Sequence, residues 1–109
     1  MALTARDTLA SMLAAARQSL GKDWPLARDF AKSAFEGLAR ALVNMGVLAA
    51  SGKVNQVQAQ ALVRIHRNTT TMVLLTIEGL GIIAVENAIN EALGAVRDTV
   101  NAAVGFRIL

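Results

Sequence analysis

The stretch TTTMVLLTIEGLGIIAVENAIN, residues 69–90, decides how this chain is read. From Met72 to Val85 it is apolar almost all the way round, interrupted only by Thr76, Glu78, Gly79 and Gly81. A helix on the surface of a globular protein keeps a polar face, so a helix without one is covered by protein or by lipid. What covers this one is the central question of the sequence.

The length of the surrounding segment sharpens it. After Ser51-Gly52-Lys53, the one clear break between long segments, no proline occurs from Val54 to about Val104. Val57, Ala61, Ile65, Asn68, Met72 and Leu75 keep a coiled-coil-like spacing of three and four straight through Asn68–Thr71. Beyond Glu86 the segment is amphipathic, with Ile89, Leu93, Val96, Val100 and Val104 inward and Glu86, Asn90, Arg97 and Asn101 opposite. One continuous helix of that extent would be about 75 Å long. A compact domain of this size has a radius of gyration of about 13 Å. Either the helix breaks, at Asn68–Thr71 or at Gly79–Gly81, and the chain is a monomeric four-helix bundle, or it stays long and a second copy covers it. The extent of the apolar run favours the second.

Upstream lies a helical hairpin, over roughly residues 4–51. Thr4 followed by Asp7 resembles a capping box, and the first helix runs to about Ser19 with Leu9, Met12, Leu13, Ala16 and Leu20 on one face. Gly21 ends it. Asp23 is placed to cap a second helix reaching Ala50, with Pro25 in its first turn. The buried stripe of that helix reads Phe30, Ala34, Leu38, Ala41, Leu42, Met45 and Leu48, flanked by Ala31 and Phe35. Arg28, Lys32, Glu36 and Arg40 form a solvated i,i+4 ladder.

Composition agrees with this architecture. The 109 residues suffice for one domain, 1–109. They are 54% hydrophobic but only 4% aromatic, with one proline, no cysteine and no tyrosine, which points to an all-α protein rich in alanine and leucine. The absence of cysteine removes disulfides and thiolate chemistry and fits a cytoplasmic setting. The amino end has no continuous apolar core of a secretory signal, and Asp7 and Asp23 argue against a transit peptide. The net charge of +3 is divided unevenly: residues 1–67 carry nine cations against four acids, and residues 68–109 carry Arg97 and Arg107 against Glu78, Glu86, Glu91 and Asp98.

Catalytic chemistry finds no foothold. His66 is the single histidine; the residue three before it is Val63, so a Glu-x-x-His metal motif is absent, and zinc would need two or three further ligands. Gly79-Leu80-Gly81 has no lysine and is not a nucleotide loop. Glu78 inside an apolar run reads as an interface pair with an arginine such as Arg40, Arg64 or Arg67, with a functional carboxylate as the sharper alternative. No enzyme, cofactor or metal is expected.

The fold expected is therefore all-α: a helical hairpin followed by a long C-terminal helix, associating into a helical-bundle homo-oligomer. The function expected is that of a non-enzymatic structural or assembly protein whose partner is itself, as a dimer or higher oligomer, within a larger protein assembly or alone. Its interface would be Met72, Leu75, Glu78, Gly79, Leu80, Gly81, Ile82 and Ile83. Two alternatives are carried. The first is a membrane- or lipid-surface role: over 69–87 the apolar residues contribute about −2 to −5 kcal/mol and Glu78 opposes them with about +3, a marginal span, while the first helix could coat lipid. The second is a small basic nucleic-acid-binding accessory protein, using the patch Lys53, Arg64, His66 and Arg67, though no aromatics interleave it.

Overall fold

The hydroxyl of Thr4 starts the first helix as its spacing predicts, accepting from the Asp7 amide at 3.1 Å. A computed structural model describes residues 3–109, and in it helix α1 runs Ala5–Leu20. Gly21, at φ +54°, ends α1 and opens a single 3₁₀ turn, Gly21–Asp23, from which α2 (Trp24–Ala50) continues directly. Because Asp23 already has helical backbone angles inside that turn, its carboxylate does not cap α2. Ser51 closes α2 by donating its hydroxyl to the carbonyls of Val47 and Leu48, 3.0 and 3.2 Å away. Helix α3 (Gln56–Leu75) opens on a reciprocal capping box, Asn55 Oδ1 accepting from Gln58 N at 2.8 Å and Gln58 Oε1 from Asn55 N at 3.0 Å. Helix α4 is Ile82–Val104.

The long C-terminal helix expected from the sequence is thus two helices. It does not break at Asn68–Thr71, where Thr69, Thr70 and Thr71 each donate a hydroxyl to the carbonyl four residues back and leave the helix intact. It breaks over residues 76–81. Gly79 sits at φ +90°, a conformation that side-chain-bearing residues rarely adopt, and Gly81 is extended at the start of α4. The turn carries Ile77 and Leu80 back onto the end of the core, where both are buried. A Cβ on Gly79 would also meet Leu26 Cδ2 at 3.4 Å. Gly79→Ala is expected to lower the unfolding free energy by about 1–2 kcal/mol, read from urea denaturation.

Four antiparallel helices result. The longest dimension is 42 Å and the radius of gyration 13.5 Å, which excludes a 75 Å helix. Helix α1 packs on α4 and α2, α2 also on α3, and α1 does not touch α3. The weakest helix–helix contact is between α3 and α4. Fully buried Met12, Phe35, Leu38, Leu42, Leu74, Val85, Ile89 and Val100 form the core, with Ala16, Ala27, Ala31, Ala39, Ala88 and Ala92 allowing close approach between backbones. Thr8 and Thr70, the buried polar residues, are satisfied by backbone carbonyls of their own helices.

Helix α2 is rotated relative to the sequence expectation. On α2 the inward stripe is Ala27, Ala31, Phe35, Leu38, Ala39, Leu42 and Met45, while Phe30 is 53% exposed. On α3 the inward residues are Ala59, Val63, Thr70 and Leu74, and the stripe with coiled-coil spacing, Val57, Ala61, Ile65, Asn68, Met72 and Leu75, faces out. Of the ladder on α2, Arg40 meets Glu36 at 2.7 Å; Lys32 is not in an ion pair among the described residues.

Candidate functional site

Helix α3 has two apolar faces and its own chain can bury only one. Polar residues choose which. Gln56 and Gln60 donate their side-chain amides to the Arg107 carbonyl at 3.2 and 3.0 Å, and Arg67 reaches Glu86 at 3.4 Å and also the Asn90 carboxamide. These contacts require Arg67 to face α4, and Gln56 and Gln60 to face the residues that follow it. That rotation turns Val57, Ala61, Ile65, Asn68, Met72 and Leu75 to the outside. Val57 is 75% exposed, Ile65 58% and Met72 69%. The outer face of α3 is an uncharged apolar seam from its first turn to its last, with coiled-coil spacing and no cover from this chain.

The expected interface residues divide between surface and core. Met72, Leu75, Ile82 and Ile83 are exposed, as are Glu78, Gly79 and Gly81 in the turn. Leu80 is not: at 6% exposure it fills the end of its own core, because the turn at Gly79 folds it inward. Glu78 has no ion-pair partner among the described residues; Arg40 is held by Glu36 and Arg67 by Glu86. The sequence reading missed Leu26 and Phe30, both exposed on the first turns of α2. Leu26 lies beside Gly79, so these side chains gather at the end of the bundle where α3 stops and α4 begins.

The expected basic patch also divides. Lys53 lies exposed in the α2–α3 turn, and His66 is half-buried on α3. Arg64 and Arg67 face a groove of about 780 Å³ between α3 and α4, where Arg97 and Arg107 join them. Arg97 and Arg107 lie thirty or more residues away in sequence, and only the antiparallel pairing of α3 and α4 brings them in. The last residues close one end of this groove as a strap: Asn101 Oδ1 accepts from the amides of Ile108 and Leu109 at 2.9 and 3.1 Å, and Ile108 is buried.

Among the described residues no cluster of histidine, cysteine, aspartate or glutamate could hold a metal ion, and no helix is long and apolar enough to cross a membrane. The marginal span over 69–87 is divided by the turn at residues 76–81. Compared with models of protein families, with curated proteins and with solved structures, the chain matches none.

Proposed function

We propose that this chain is a non-enzymatic assembly protein that acts by self-association, α3 packing against α3 of a second copy. The observation that carries the reading is the uncharged apolar seam along the whole outer face of α3. Monomeric soluble proteins rarely leave a large contiguous apolar face uncovered. Exposed Leu26, Phe30, Ile82 and Ile83 extend the apolar surface at one end of the bundle.

A second copy fits the spacing of the seam. Ala61, Ile65, Asn68 and Met72 are separated by four, three and four residues, a pattern that reads the same in both directions. Two antiparallel copies related by a two-fold axis between His66 and Arg67 therefore superimpose their seams, as an isologous interface requires. Asn68 is the single polar residue in the seam's centre and would fix the register at some cost in strength. The contact replaces the expected interface around Leu80 with one centred on Ile65 and Asn68.

Light scattering on a sizing column, over a range of protein concentrations and without detergent, tests this. A discrete species of at least twice the chain mass of 11.5 kDa is expected. A monomer that persists up to about 1 mM would remove the proposal, since a contact weaker than about 4 kcal/mol builds no stable assembly.

A further inference from the structure

We infer that the groove between α3 and α4 is a binding site for an acidic amphipathic helix from another protein. Its floor is a narrow apolar strip of Val63, Leu93 and Ile108, each less than a tenth exposed, with Gln56, Gln60 and Asn90 beside it. Its rim carries Arg64, Arg67, Arg97 and Arg107. From Gln56 to Arg67 the groove follows about 16 Å of helix, the length of three helical turns in a docked partner. An apolar strip bordered by cations is the complement of a helix with one apolar face and carboxylates beside it.

Little in the chain itself answers those cations. Arg67 alone has a carboxylate across from it, Glu86 at 3.4 Å. Arg97 rests on its sequence neighbour Asp98 at 3.7 Å with both side chains exposed, Arg107 Nε donates to the Leu109 carbonyl at 3.4 Å, and the Arg64 side chain has no hydrogen bond or ion pair among the described residues. Gly94 lines the groove in the middle of α4, and a Cβ built there would meet nothing within 4 Å. Gly37 and Gly46 in α2 are equally uncrowded; Gly94 differs in lying in the groove, where it leaves room for a partner backbone against α4.

Other occupants fit less well. A phosphate site gathers free backbone amides, whereas those along both walls are spent inside α3 and α4. A nucleic acid would find no aromatic side chain to stack on. A second copy has no free helix of this kind: the acids of α1 and α2 are interspersed with Arg6, Arg17, Arg28, Lys32 and Arg40, α3 has none, and α4, which carries Glu86, Glu91 and Asp98, has its apolar face buried in its own core. The floor of the groove lies roughly 100° around α3 from the middle of the apolar seam, with Arg64 between the two.

The test is fluorescence anisotropy with a labelled peptide of about 14 residues, four helical turns, bearing leucines at i, i+3, i+4 and i+7 and glutamates elsewhere. Saturable binding that weakens with added salt is expected, with no binding of the same peptide carrying lysines in place of glutamates. Arg64→Glu combined with Arg97→Glu, both exposed, should weaken binding at least about tenfold while circular dichroism stays unchanged. Gly94→Gln fills the groove without changing charge; it should weaken binding and raise the Tm, since a helix-interior glycine is removed. Ile65→Asp, outside the groove, should bind the peptide as the unaltered chain does. The inference is overturned if the peptide does not bind, if the charge-reversed variant binds it equally well, or if inorganic polyphosphate binds the groove in preference to it.

Discussion

Phe35→Ala is expected to remove about 3–5 kcal/mol from the unfolding free energy, and Phe30→Ala about 1 kcal/mol or less. The two phenylalanines lie five residues apart on α2 and are chemically identical, so the contrast measures the rotation of that helix and nothing else. Phe35 is fully buried, packed into the core with Leu38 and Leu42, and its truncation leaves a cavity that rigid neighbouring helices cannot close. Phe30 keeps 53% of its surface in solvent. A small domain has a total stability of about 5–15 kcal/mol, so the first substitution takes a large share of it. Urea denaturation, at a dilution where the chain is monomeric, checks both. Equal losses, or a larger loss at Phe30, would mean that α2 presents the other face to the core.

Periodicity alone favours Phe30, and the reason it misleads is alanine. The residues that complete the true inward stripe of α2 are Ala27, Ala31 and Ala39, which in a sequence count equally for a buried face and for a solvated one. The same ambiguity governs α3, whose inward Ala59, Val63 and Leu74 are outweighed in the sequence by Val57, Ile65, Met72 and Leu75 on the opposite side. What orients α3 is polar and distant: Gln56 and Gln60 on the Arg107 carbonyl, and Arg67 on Glu86. No local pattern reports such contacts.

Features fixed by local chemistry were legible. The Thr4 cap, the stop at Gly21, Pro25 at the start of α2 and the turn at 51–53 stand where the sequence places them. So does the inward face of α4, where Ile89, Leu93, Val96, Val100 and Val104 are all buried; here bulky β-branched and leucine side chains mark one face without competition. The break at residues 76–81 was one of two that the sequence offers, and the threonines of the other proved compatible with helix because their hydroxyls bond back to it. Of the candidate sites, the exposed apolar positions Met72, Leu75, Ile82 and Ile83 could be read from the sequence, whereas the meeting of Arg64 and Arg67 with Arg97 and Arg107 could not.

Ile65→Asp is expected to raise the dissociation constant of the self-assembly by a hundredfold or more while leaving the fold of the single chain unchanged. Ile65 is 58% exposed and stands at the centre of the seam, next to the position where the two-fold axis would pass. Covering the exposed part of such a side chain contributes roughly 1–2 kcal/mol, and a two-fold interface counts each substitution twice, so about 2–4 kcal/mol is lost before the cost of placing a carboxylate against an apolar face. Each 1.4 kcal/mol is tenfold in affinity. Within the isolated chain Ile65 is more exposed than covered, so the same change costs about 1 kcal/mol or less. Met72→Asp, one helical repeat away and 69% exposed, should act in the same way, because the spacing pairs it with Ala61 of the second copy. Asn68→Leu should do the opposite, tightening association by replacing the one polar residue in the seam and loosening its register. Sedimentation equilibrium on the three variants reads all of this at once. If Ile65→Asp and Met72→Asp assemble as the unaltered chain does, α3 is not the interface, and the seam on its outer face serves something other than a second copy.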